Sequence, residues 1–291
     1  MSALYEHLAL GVTTVCRAWM VRRRDGVVYG FTDHDGDLSF DGLLFKASTG
    51  MTARVLQQTT GLSVDNSEAL GALSDAAVTE ADLLAGRFDG AEVRSWLVNW
   101  SDVAARVEQF RGTFGEITRV GGQFRAELRG QTEALNQPQG RVYHRGCSAI
   151  LGDAQCRFDL GRPEFAVETV IAEAAGVVLR FTGLTSFAAG WFQRGRLIVQ
   201  SGEAAGLVGL IKADKQAGSL RVVEMWAGLG VDLMAGDTVR LEAGCDKTAD
   251  SCRGKFDNFL NFRGFPHIPG DDWLASYPTS AQPLDGGSLF L

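Results

Sequence analysis

Three Asp-Gly pairs, Asp25-Gly26, Asp35-Gly36 and Asp41-Gly42, punctuate the first 45 residues of this chain. Asp and Gly tolerate the left-handed backbone that two-residue hairpin turns require, so such a pair between apolar runs predicts a hairpin. Thr14–Val21 and Val27–Tyr29 flank the first pair, and Phe40 and Leu43–Phe45 flank the last, which predicts a meander. Glycine is abundant throughout: 36 of 291 residues, about 12% against a usual ~7%. With only 6 prolines and no G-x-y period, this composition points to many short strands joined by tight turns.

One helix interrupts the first block. Thr79 is placed to cap it, Glu80 and Asp82 suit its first turn, and Gly86 stops it after Leu83–Ala85. Strand character returns at Glu92–Trp100, and Ile117–Leu128 reads as a hairpin turning at Gly121-Gly122. A second block of short strands covers Val167–Ile171, Gly176–Phe181, Gly195–Gln200, Ser219–Val223 and Asp237–Leu241. The last stretch, Arg263–Leu291, holds Pro266, Pro269, Pro278 and Pro283 and has little periodicity, as expected of an extended docking arm. The fold class expected is therefore mainly β. Two β-barrel or sandwich-like domains are expected, plus a small cysteine-rich C-terminal region with an extended arm. The boundaries expected are 1–140, a first cysteine loop at 141–164, a second β domain at 165–243 and a cysteine region with its arm at 244–291.

Charge narrows the function. The net charge is −7 and the pI about 5.2, without the basic excess that grips nucleic-acid phosphates. The longest run without Asp, Glu, Lys or Arg extends only from Phe181 to Gln193, short of a membrane span. Residues Met1–Leu10 lack a basic and apolar leader, so synthesis in the cytoplasm is expected, with no membrane anchor.

Four of the five cysteines form two pairs. Cys147 and Cys156 have eight residues between them, Cys245 and Cys252 have six, and the pairs bracket the second β block. Two loops converging at the base of a domain can build a four-thiolate site. Arg145, Arg157, Lys247, Arg253 and Lys255 crowd these cysteines in an otherwise acidic chain, as the residual negative charge of such a site requires. Neither pair is a CxxC, so spacing alone does not choose between zinc, an iron–sulfur cluster and plain buried thiols. Cys16 lies among apolar residues and reads as a small core side chain.

Other motifs fail on spacing. A calcium loop beginning at Asp33 would need Gly at its sixth and Glu at its twelfth position, which are Leu38 and Leu44. His7, His34, His144 and His267 share no metalloprotease spacing, and no nucleophile elbow, Walker loop or dinucleotide fingerprint is present. His144 makes a Cys/His zinc site conceivable. The enzymatic alternative is a β-rich zinc hydrolase acting at a cell surface. A closed set of four cysteines opposes it, because a catalytic zinc needs an open position. The six tryptophans read as core and interface residues rather than a platform for bases.

Several stretches carry a family resemblance. They are Gly11–Thr14, Arg23–Gly26, Phe31–Asp35, Leu151–Cys156, Gly244–Thr248 with Cys252, and above all Asn261–Gly270. Over essentially the whole chain the sequence resembles the tail hub (tail tip) proteins of siphophages and of alphaproteobacterial gene transfer agents such as that of Rhodobacter, and is similar to the lambda tail tip protein L. The resemblance implies a structural protein, not an enzyme, in the virion tail or baseplate. It implies a homotrimeric ring around a DNA channel, with DNA passing during ejection without specific binding. It implies contacts with the distal tail protein, with a tail tip or fibre-bearing protein, and with a tail-associated peptidoglycan peptidase. It also implies an iron–sulfur cluster of the [4Fe-4S] type on Cys147, Cys156, Cys245 and Cys252, with zinc as the alternative.

Overall fold

The computed structural model describes residues 3–47, 52–53, 66–72, 79–120, 123–136 and 140–268. The chain divides into two compact units, Met1–Gln139 and Gly140–Leu291. The second unit therefore takes in both cysteine loops together with the strands between them.

The first unit opens with a short helix α1 (Ala3–Leu8). Its strands are β1 (Val15–Arg22), β2 (Val28–Thr32), β3 (Leu38–Phe40), β4 (Leu43–Phe45), β5 (Thr52–Ala53), β6 (Asn66–Ala72), β7 (Glu92–Asn99), β8 (Arg106–Val120) and β9 (Gln123–Gly130), with helix α2 (Glu80–Leu84) before β7. Seven of them form one antiparallel sheet in the order β2-β1-β7-β8-β9-β6-β5, and β3-β4 is a separate hairpin. β1 is buried on both faces. Cys16, Ala18 and Met20 pack with Phe40 and Phe45 of the hairpin and with Trp96. Trp19 and Val21 pack on the opposite face with Phe88, Val93 and Phe110. Double-sided burial explains why β1 reads as a near-continuous apolar run rather than an alternation.

The Asp-Gly pairs do not behave alike. Asp41 and Gly42 both have positive φ, 51° and 74°, and form the expected two-residue turn between Phe40 and Leu43. At Asp25-Gly26 only the glycine is left-handed, at 89°. Gly26 N–H donates to the Arg23 carbonyl and Arg23 N–H to that of Val27, so the loop has three residues. The expected two-residue turn is corrected there. Asp25 spends its carboxylate on Arg23 and on the Val27 N–H, which holds it out of the left-handed region. Asp35-Gly36 lies in the link from β2 to β3 and makes no hairpin, its Gly36 N–H instead donating to His34 Nδ1. α2 starts where expected: the Thr79 hydroxyl accepts the Asp82 N–H at 3.1 Å. The turn at Gly121-Gly122 lies outside the described residues, although Val120 and Gln123 on either side of it are paired.

Glu92, on β7, is clasped by Arg94 at 2.8 Å, Arg111 at 3.3 Å and Arg22 at 3.5 Å. Burial alone would raise its carboxyl pKa. The Arg94 hydrogen bond and the charges of Arg94, Arg22 and Arg111 outweigh it and hold the group below its ordinary 4.5. A depressed carboxyl contributes stability above its unfolded pKa and loses it as pH falls through the folded one. Glu92→Gln should therefore lower the denaturation midpoint of the full chain at pH 7 and leave it unchanged in strong acid. An equal loss at both pH values would refute the clasp.

The second unit contains β10 (Ala166–Val170), β11 (Glu173–Ala175), β12 (Val178–Thr182), β13 (Arg196–Val199), β14 (Val208–Ala217), β15 (Leu220–Met225) and β16 (Thr238–Glu242), followed by helix α3 (Ala249–Gly254). The sheet order is β10-β16-β13-β14-β15-β12-β11. Its two end strands are consecutive in the chain, separated by Ile171 and Ala172 alone. Ile171 N–H continues the ladder to Asp237 on one side, and Ala172 N–H continues it to Arg180 on the other. The sheet must therefore curl until its ends meet, as a small barrel. Leu179, Phe181, Leu197, Ile211, Val223, Val239 and Leu241 fill it.

One charged pair sits inside this core. Arg221 and Asp214 are fully buried, joined by Nε–Oδ1 at 2.7 Å and Nη2–Oδ2 at 2.6 Å. Arg221 also donates to the carbonyls of Leu184, Phe187 and Ala188. Asp214 accepts the Phe192 N–H at 2.8 Å. The pair thus pins the 184–192 loop to the barrel. No helix among the described residues is long and apolar enough to cross a membrane.

Candidate metal centre

The cysteine region is assembled around the 184–192 loop and the end of β16. Trp191 is its pivot. Its carbonyl accepts the Gly244 N–H at 2.9 Å and Lys255 Nζ at 2.7 Å, and its indole N–H donates to Glu164 at 3.1 Å. An apolar cluster of Ala149, Cys156, Phe158, Phe165, Ala243 and Phe256 lies beneath, with Cys147, Cys245 and Trp191 packed against it. Phe158, Phe165 and Phe256 meet one another at centroid distances of 4.7–5.5 Å.

Three of the four cysteines are held by distinct devices. The Asp153 carboxylate caps the first loop by accepting the N–H groups of Cys156, Gln155 and Ile150 at 2.6, 2.9 and 2.8 Å. Those bonds hold its pKa below the usual carboxylate range. Cys147 N–H donates to the Lys247 carbonyl at 2.8 Å, tying the first loop to the turn that carries Cys245. Cys252 lies on α3, whose cap Thr248 accepts the Ser251 N–H at 3.2 Å. The segment after α3 then returns to the first loop: Arg263 N–H donates to Cys147 Sγ at 3.3 Å, and Phe265 N–H to the His144 carbonyl at 3.0 Å. Gly264 makes this return possible. A Cβ there would stand 2.5 Å from the Gly146 carbonyl oxygen, too close for any side chain.

The structure brings Cys147, Cys156, Cys245 and Cys252 into one neighbourhood. The Cys252 thiol is pushed up to about 11, first by burial and then by the charges that Cys147, Cys245 and Cys156 would carry as thiolates. Burial also pushes up Cys245, against the pull of Lys247. Thiols that oppose one another's ionisation in this way are a donor set that a bound cation would relieve. Among the described residues no three or more His, Cys, Asp and Glu side chains form a ready cage for a single metal ion. Two of the expected cations face inward. Lys247 donates to the Ala149 carbonyl. Lys255 donates to Trp191 and Gly244 and lies 4.3 Å from the Trp191 ring centre, its pKa lowered by burial. Arg253 stacks on Phe259 at 4.2 Å.

Other expected residues lie elsewhere. Cys16 is buried in the first unit, its thiol against the Val98 carbonyl. His144 is exposed, and His7 accepts the Thr14 N–H at 3.0 Å. Trp19 and Trp96 are core residues, Trp100 and Trp226 are exposed, and Trp273 lies outside the described residues with most of the arm. Sequence reasoning missed Trp191 as pivot and Asp153 as cap, although an Asp three residues before Cys156 is a readable turn signal.

Comparison with known proteins gives this arrangement its setting. Residues 1–159 match the family described as baseplate hub protein, N-terminal attachment domain. This chain belongs to the baseplate hub proteins. Residues 190–272 of the hub protein also match a second family, described as phage conserved hypothetical protein BR0599, which spans Cys245, Cys252 and the returning segment. Among solved structures, it is 56% identical to a chain from "Virion of native gene transfer agent (GTA) particle", covering 99% of each chain with a TM-score of 0.89. No curated protein matches. The hub protein is thus a structural protein of a phage-like tail and not an enzyme.

Proposed function

We propose that the hub protein forms a homotrimeric ring at the distal end of a gene-transfer-agent-type tail, with Cys147, Cys156, Cys245 and Cys252 holding a [4Fe-4S] cluster as a structural staple. The full-length similarity to a chain of such a virion carries the reading. Each copy supplies two β units, so three copies present six, which suits a junction between a six-fold tube and a three-fold tip. The ring lies between the distal tail protein and the tip or fibre-bearing protein, with a tail-associated peptidoglycan peptidase as a further neighbour. An acidic wall, at −7 per chain, lets DNA slide during ejection instead of binding it.

The donor set fits the group. Cys156 lies in the apolar cluster with Cys147 and Cys245 packed against it, Cys252 is close enough to feel the charges of all three, N–H groups donate to two of the sulfurs, and Lys255 faces Cys245. When bound, the cluster would supply strong bonds between the first loop, the Cys245 turn and α3. These residues would orient it, exclude water through Phe158, Phe165 and Phe256, and hold it where the barrel begins and ends. Reconstruction of intact particles is the test: three copies surrounding the tail axis are expected. Six copies, or a position outside the tail, would overturn the ring. Iron and sulfide assay of purified protein separates the cluster from zinc.

A further inference from the structure

We propose that Asn258 is the positioning residue of the four-cysteine site, holding the Cys156 sulfur by N–H donation while fixing the turn behind Cys252. The inference rests on the cluster reading above and adds a residue outside the cysteine set. Asp257, with φ of 47°, turns the chain sharply after α3 and delivers Asn258. The Asn258 backbone N–H donates to the Cys252 carbonyl at 2.9 Å. Its side-chain Nδ2 donates to the Cys156 carbonyl at 2.7 Å and lies 3.5 Å from Cys156 Sγ. One residue therefore joins both cysteine pairs. Its amide cannot be reversed without setting Oδ1 against the Cys156 carbonyl. Asn261 Nδ2 fixes that sense by donating to Asn258 Oδ1 at 2.8 Å. Arg263 N–H then donates to Cys147 Sγ, so the segment 258–263 reaches back to both sulfurs of the first pair.

Donation to a thiolate favours its charged form, and hydrogen bonds to sulfur set the reduction potential of an iron–sulfur cluster. Losing an outer-shell partner typically costs about 10–100-fold in metal retention. The test compares wild type, Asn258→Ala and Asn258→Asp, purified without oxygen, by iron and sulfide content, reduction potential and rate of iron loss to a chelator. Asn258→Ala should keep the cluster at a lower potential and release iron about 10–100-fold faster. Asn258→Asp, of the same shape but without the donor and with added negative charge, should release it faster still. Should Asn258→Ala fail to fold, Asn258→Ser carries the same comparison. Cluster-loaded variants with wild-type potential and release rate would overturn the inference alone. Wild type lacking iron and sulfide would overturn the cluster reading and the inference with it.

Discussion

Arg221→Ala should destabilise the second unit by about 3–5 kcal/mol, a large share of the ~5–15 kcal/mol that holds a typical domain together. All five guanidinium N–H groups are used, two on Asp214 and three on the carbonyls of Leu184, Phe187 and Ala188. Truncation leaves a buried carboxylate without its partner and the Phe187 carbonyl without its donor, while the Leu184 and Ala188 carbonyls keep only the N–H groups of Phe187 and Trp191, so the cost is that of uncompensated burial rather than of one ion pair. Arg221→Lys should rescue little, because an ammonium offers three donors and cannot reproduce the planar fork. Replacing Asp214 and Arg221 together by leucine should recover only part of the loss. In a purely apolar core such a swap can be neutral, but here the Phe192 N–H and the Phe187 carbonyl lose their partners. Urea titration followed by tryptophan fluorescence measures all three. A loss below about 1 kcal/mol for Arg221→Ala would sink the account, since that is the worth of a single ordinary hydrogen bond.

Serine at any one of Cys147, Cys156, Cys245 or Cys252 should reduce iron and sulfide from about four each per chain to well below that value. The same substitutions should cost several kcal/mol, of the order that structural metals contribute to folding. The effect should be similar at all four positions, because each holds a different piece of chain: the Lys247-tied loop, the Asp153-capped loop, the turn after β16, and α3. Cys16→Ser is the control in the first unit. It should retain the full metal content and lose only about 1 kcal/mol of packing. Elemental analysis with thermal denaturation of the five variants checks this. One equivalent of zinc and no sulfide would replace the cluster by a mononuclear site. Full metal content in Cys147→Ser or Cys252→Ser would remove that residue from the donor set.

Much of this was legible in the residues, and the failures have physical causes. Strands with one wet face or a clean apolar run, such as β1, β7 and β13, stand out. β14, the longest strand of the second unit, does not, because its sequence VGLIKADKQA points Asp214 inward to meet Arg221 and breaks at a bulge between Ile211 and Ala213. Alternation assumes apolar residues on the inner face, and a buried ion pair defeats it. α1 and α3 have six residues each, too few to show a helical period. At the cysteine site, the ligand candidates could be found by residue type. Asn258 and Trp191 could not, since an asparagine or a tryptophan acquires its meaning here only from carbonyls, sulfurs and cations brought to it by distant chain.

The two consecutive strands that form the ends of the barrel sheet have a consequence for crowding. Chains with open sheet edges recruit one another by adding strands, an association that is hard to limit when many copies gather at one assembly point. Here the ladder continues from Val170 through Ile171 and Ala172 into Glu173 without exposing a full-length edge. Copies of the second unit are thereby denied the commonest route to runaway β-pairing. Their mutual recognition is left to side-chain faces and loops, where geometry can stop the count at a fixed number.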